Sequence, residues 1–249
     1  MTAFMIWMSD LGHGPLYFAI AISCMTWGAI SHIRDPQGDH DVFWMGWRLT
    51  TFWVTGVLLN TCLKHLIRAP RPWWIDSELA PLHPHPAGGF GMPSGHTQSA
   101  VGILLGLWCL GRILRIRNAS RGELPSSSHL WLTSLGVLWV IGIAVTRVSL
   151  HAHSLAQVFA GGTLGLAWAA FILWTERSPW GLRALISFSF LFTVLGLWLI
   201  SYAPELPSEW TKVILAHQAT PPSHPSLAKI LIIGGLSVVW AGLLRLKQE

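Results

Sequence analysis

Charge is what this sequence has least of. Only 11% of its 249 residues are Asp, Glu, Lys or Arg, against about 25% in a soluble domain, while 52% are apolar. So few charges cannot coat a water-facing surface, which excludes an ordinary soluble domain. Cysteine is scarce too. Cys24, Cys62 and Cys109 all fall in apolar runs without C-x-x-C spacing, which excludes a zinc ribbon or a disulfide framework. The formal charge of +5 is spread over short connections, with no basic tail or basic-aromatic repeat, so no nucleic-acid partner is expected. Met1 to Asp10 contains no Lys or Arg, whereas a cleavable secretory signal carries such a residue before its apolar core. The first apolar segment is therefore expected to be retained.

What the chain has instead is a series of apolar runs, at 14–31, 43–63, 96–114, 130–147, 155–174, 182–202 and 228–244. Most are about 18 residues long, beyond a buried soluble helix and close to the roughly 20 residues that cross a bilayer. The expected fold is all-α: a polytopic membrane helical bundle of six core spans plus a seventh at the C-terminus, forming one domain over 1–249. Three polar connections interrupt it, at 70–93, 115–129 and 204–225; the first is rich in Pro, Gly and His and cannot continue a helix.

Alternate connections share a membrane side. One side holds Arg34, Arg112, Arg115, Arg117, Arg121, Arg177, Arg183, Arg245 and Lys247. The other is less basic and holds Lys64, Arg68, Arg71, Arg147, Lys212 and Lys229. Positive charge favours the cytoplasm, so segments 64–95 and 147–154 are expected on the outward face. That face is the periplasmic side of a bacterial inner membrane or the lumen of an organelle.

Three clusters stand at the outward ends of spans: Lys64-x6-Arg71-Pro72, Pro93-Ser94-Gly95-His96 and Thr146-Arg147-x5-His153. Singly, each cation could be a snorkelling interface residue and each histidine a helix-end residue. Together, two guanidinium groups and an ammonium suit three phosphoryl oxygens. Ser94 adds a hydroxyl, and Gly95 lets a helix N-terminus approach an anion closely. Two imidazoles could serve as nucleophile and acid. Asp76 and Glu78 are the only carboxylates of the long loop, too few for a multi-carboxylate magnesium site.

In order and spacing these clusters, all within residues 64–165, resemble the three-part signature of the type 2 phosphatidic acid phosphatase family. The resemblance implies a metal-independent phosphatase without a cofactor, acting on a lipid phosphate among membrane lipids. It implies His153 as the nucleophile that forms a phosphohistidine and His96 as the general acid and then base. Lys64, Arg71, Ser94, Gly95 and Arg147 would hold the phosphoryl oxygens.

The sequence departs from the family pattern in two places. The family commonly has Ser before the third-motif Arg and Asp four residues after its His, where this chain has Thr146 and Gln157. The Gln157 carbonyl is expected to accept the His153 N–H and orient the ring; failing that, the chain would be a phosphate- or lipid-binding pseudoenzyme. Arg147-Val148, His153, Gln157-Val158 and Gly161 are similar to the same stretch in dolichyl diphosphate phosphatases and glucose-6-phosphatases. Phe90 to Gln98 resembles the former. A polyprenyl diphosphate or other lipid phosphate is the first expectation and a sugar phosphate the second. Vanadium haloperoxidases resemble these phosphatases at the anion-holding residues but are soluble.

Other features fit blander roles. His83 and His85 lack a third ligand nearby and make no metal site. His151 diverges from His153 and could line the entrance. Trp73 and Trp74 are expected as interface anchors, or else as a cover over the site. Arg48, inside the second run, would cost about 3 kcal/mol unpaired at the membrane centre, so it should snorkel inward or pair within the protein. Only Thr50, Thr51 and Asn60 accompany it, too few polar groups for a transport path.

Overall fold

A computed structural model describes residues 2–12, 14–34, 41–76, 78–84, 86, 89–120, 127–201, 205–222 and 225. The elements among them are helices: α1 (Thr2–Asp10), α2 (Gly14–Arg34), α3 (Asp41–Ile67), α4 (Pro72–Ile75), α5 (Gly95–Ser120), α6 (Ser128–Ser149), α7 (Leu155–Thr175), α8 (Gly181–Ile200) and α9 (Ser208–Ala216). No strand occurs among the described residues. Six of the expected runs fall on α2, α3, α5, α6, α7 and α8. The seventh, 228–244, lies outside the described residues.

Four helices, α5 to α8, are long and apolar enough to cross a membrane, and α1 with α2, bent by 45° at their break, would make a fifth if they form one span. Helix α3 has ample length at 27 residues but a more polar sequence, and its position explains why. It packs against α2, α5, α7 and α8, so protein rather than lipid surrounds it. Its polar groups are answered internally. The hydroxyls of Thr50 and Thr51 donate to the carbonyls of Gly46 and Trp47, both at 2.9 Å, and Trp168 Nε1 donates to Thr55 Oγ1 at 3.0 Å. A helix satisfied in this way tolerates such residues inside a bundle. The peripheral helices do the opposite: Trp131, Leu138, Leu155, Phe159, Phe190 and Leu191 are exposed, the pattern of side chains that meet lipid.

Arg48 pairs within the protein. Its Nε donates to both carboxylate oxygens of Glu176, at 2.8 and 2.9 Å, tying the start of α3 to the end of α7. At the other end of the bundle, Trp73 and Trp74 are each only 2% exposed. They pack with Phe90, Ile214 and Ala219 in a separate small core. They are therefore not exposed interface anchors: burial gives them a structural partner, and they join α4 to α9.

Candidate active site

The far ends of α3, α5, α6 and α7 bring the three clusters together. Arg71 lies between Pro70 and Pro72, and a residue preceding proline favours extended backbone. Arg71 adopts it, at φ −80° and ψ 156°, as the cap of α4. The guanidinium turns inward, with Nε donating to Gly89 O at 2.6 Å and Nη1 to Ala152 O at 2.7 Å. Burial without a counter-charge, and then the nearby Arg147, push Arg71 down to about 9. It stays cationic at neutral pH. On α3, Lys64 Nζ donates to Phe90 O.

Ser94, fully buried, opens α5. Its Oγ accepts from Thr97 Oγ1 at 3.1 Å and from Thr97 N at 3.5 Å, the pattern of a helix cap. Its backbone N–H donates to Gln157 O at 3.0 Å. Gly95 and His96 follow at the helix N-terminus, where backbone N–H groups favour an anion. Gly161 of α7 lies directly against the Ser94 backbone, and any Cβ there would collide with Ser94 O.

His153 is placed by two helix ends. The carbonyl of Arg147 accepts from both Ala152 N and His153 N at 3.1 Å, and Leu150 N closes onto Thr146 O at 3.0 Å. The chain then passes through His151 at φ 57° and enters α7 at Ser154. There Ser154 Oγ accepts from Gln157 N at 3.3 Å while Gln157 Oε1 accepts from Ser154 N at 3.2 Å. This reciprocal box locks Gln157. Its Nε2 donates to Pro70 O at 2.7 Å, so its oxygen faces the histidine, with His153 Nδ1 3.1 Å away.

An amide oxygen only accepts, so Nδ1 carries the proton and Nε2 the lone pair. That Nε2 lies 3.3 Å from Arg71 Nη1. Burial first, then Arg71, Lys64, Arg147 and His96, hold the His153 imidazole well below its ordinary range. It is neutral at physiological pH.

Arg147 is 5% exposed, and its Nη1 donates to the hydroxyl of Ser9 on α1. Its Nε is buried with no partner among the described residues. Neither Arg71 nor Arg147 is ion-paired with a carboxylate among those residues; the neighbouring Asp10 instead takes His83, at 3.1 Å. His151 bonds the carbonyl of Ala80 at 2.8 Å, and His85 lies outside the described residues. The sequence reading missed Ser9, a generic residue 138 positions from its partner. It also passed over the box Ser154-x-x-Gln157, a visible signal that Gln157 is anchored.

The order of these motifs along the chain, now seen to converge in space, matches a known group: the family model of the PAP2 superfamily covers residues 45–179, more than half of the sequence. The chain belongs to the PAP2 superfamily. Its PAP2 region contains every candidate site residue and the Arg48–Glu176 pair, but not Ser9. The chain is also similar to the dihydrosphingosine 1-phosphate phosphatase of Schizosaccharomyces pombe, at 27% identity over 204 residues, covering 78% of this chain and 43% of the relative. It thus spans less than half the length of that relative. No solved structure matches this PAP2 protein.

Proposed function

We propose that this PAP2 protein is a membrane phosphatase that hydrolyses a lipid phosphate at the outward face, in two steps through a phosphohistidine on His153. The observation that carries the reading is the neutral imidazole of His153, its Nε2 lone pair 3.3 Å from the guanidinium of Arg71, which no carboxylate pairs among the described residues. Nε2 attacks phosphorus and forms a P–N bond while the P–O bond to the lipid breaks. His96 gives its proton to the departing alkoxide, which leaves as the alcohol. Neutral His96 then takes a proton from water, whose oxygen attacks phosphorus, breaks the P–N bond and releases phosphate.

Lys64, Arg71, Arg147, the Ser94 hydroxyl and the backbone at Gly95 hold the phosphoryl oxygens. Each preorganised donor of this kind contributes about 3 kcal/mol at the transition state. Gln157 stabilises the charge that grows on His153 less than a carboxylate would, but it keeps the proton on Nδ1. No step uses a metal ion.

The apolar, lipid-facing helices favour a lipid substrate, and similarity to the fission-yeast dihydrosphingosine 1-phosphate phosphatase favours a phosphate monoester. A second reading, polyprenyl diphosphate, is favoured by Gln157 and the 90–98 segment. The test is phosphate release by purified protein, with EDTA, from a sphingoid-base phosphate, a polyprenyl diphosphate and glucose 6-phosphate. Turnover should be highest on one of the lipids and should accompany an acid-labile, alkali-stable phosphoenzyme absent in His153→Ala. No phosphate from any substrate would leave a binding pseudoenzyme, and activity retained by His153→Ala would remove the assigned nucleophile.

A further inference from the structure

A cavity of about 260 Å³ opens beside His96 and runs inward between α3 and α5, past Asn60 and Gln98 to Phe52, Trp53 and Val57. Under the phosphatase reading, on which this inference rests, His96 protonates the departing oxygen. The group leaving phosphorus must therefore lie on the His96 side, where the cavity is. Its inner part is apolar, as an alkyl chain requires. Its neck is not.

Asn60 and Gln98 are 8% and 3% exposed, and their orientation follows from one fixed carbonyl. Gly56 O can only accept, so the Gln98 amide nitrogen faces it, at 3.1 Å. The Gln98 oxygen then faces Asn60 and accepts from its Nδ2 at 2.6 Å. The same Nδ2 lies 3.5 Å from Pro93 O. Both N–H groups of Asn60 and one of Gln98 are thus directed at carbonyl oxygens of the protein. What remains is the Asn60 oxygen, which no donor reaches among the described residues and which would lie 3.3 Å from a Cβ on Gly95. An amide acceptor that lines this cavity beside the reacting centre asks for a donor from any ligand that displaces water from it.

We infer that this neck is a leaving-group subsite in which Asn60 Oδ1 accepts a hydrogen bond from a hydroxyl close to the phosphoester carbon of the substrate. Lys64 lines the same cavity, and its charge disfavours an ammonium at that place relative to a neutral hydroxyl. An alkyl phosphate without a donor leaves the acceptor dry and unpaired. A plain polyprenyl chain has no such donor either. Asn60 is then a residue that selects substrates, beyond gluing α3 to α5.

The experiment compares kcat/KM of the full chain for three phosphates of equal chain length: a 2-hydroxyalkyl, a 2-aminoalkyl and a plain alkyl phosphate. The hydroxyl compound should exceed the plain one by at least about 10-fold, the selectivity of one buried hydrogen bond. Asn60→Leu should shrink that ratio to roughly threefold or less by slowing the hydroxyl substrate alone.

Equal rates in wild type, or equal losses on both substrates in Asn60→Leu, overturn the subsite while leaving the phosphatase intact. Preference for the amine over the hydroxyl overturns the assigned donor. Turnover of none of the three, nor of any lipid in the broader panel, overturns the phosphatase reading and the subsite with it. Should Asn60→Leu fail to fold, the wild-type comparison alone decides.

Discussion

At one end of the bundle Arg48 sits against Glu176 at 2.8 Å, while at the other Arg71 and Arg147 are buried against carbonyls and a hydroxyl, with no carboxylate in ion-pair contact among the described residues. All three cations belong to one helical bundle, and the two ends treat them differently. Where Glu176 neutralises the guanidinium, the charge is closed and serves to join α3 to α7. Where no acid answers, burial costs folding free energy that an arriving anion can recover. Arg71, pushed down to about 9, registers that cost. Fixed donors with no counter-ion suit a phosphoryl group because they need not first give up an internal partner.

The contrast can be broken most directly by mutation at both ends. Arg71→Ala or Arg147→Ala should lower kcat/KM by about 100- to 1,000-fold without loss of thermal stability. Arg48→Met should leave activity nearly intact in the folded fraction but destabilise the protein by about 3 to 5 kcal/mol, because Glu176 is stranded. Arg48→Met with Glu176→Leu should recover most of that stability in a denaturation assay. If Arg48→Met abolishes turnover as Arg147→Ala does, the two ends are not different in kind.

A smaller effect is expected behind the nucleophile. Gln157→Leu should reduce kcat by roughly 10- to 100-fold, the size of loss known for groups that orient metal-bound histidines, because the His153 ring loses the acceptor for its Nδ1 proton. Weaker still, Ser9→Ala should raise KM by about fivefold, one hydrogen bond's worth, and Ser9→Thr should restore it.

The pH profile gives the mildest test. A folded-state pKa below 6.5 means that His153 keeps its lone pair as pH falls through 6.5 and loses it only further down. The acid limb of kcat/KM, which reports free enzyme and free substrate, should therefore lie below pH 6.5. A limb at or above that value would place a protonated His153 in the resting site.

Much of the candidate site was legible because its residues stand beside helix boundaries. Pro72, Gly95 and the polar stretch 147–154 mark the ends of apolar runs, and the cations and histidines at those ends have few other reasons to be there. Six of the seven runs were legible for the same reason, being long, apolar and bounded by loops.

What sequence could not supply is pairing across the fold. Arg48 needed a partner, but nothing local points to Glu176, 128 positions away. Asn60 looked like an isolated polar residue until α5 placed Gln98 against it. Trp73 and Trp74 read as interface anchors because aromatic residues favour interfaces in general, and only the packing of α9 makes them core.

Gly161 sets a limit on how this protein can drift. Its Cα faces the backbone of Ser94, and a single methyl group there would meet Ser94 N at 3.1 Å and its carbonyl carbon at 3.2 Å. Backbone on one side and a helix axis on the other leave nothing flexible to yield. Helix α7 would have to retreat from α5 as a body, taking His153 with it and leaving the cradle where it was. Lineages descending from this sequence should therefore vary freely along the lipid-facing flank of α7, while at position 161 selection has one residue to choose from.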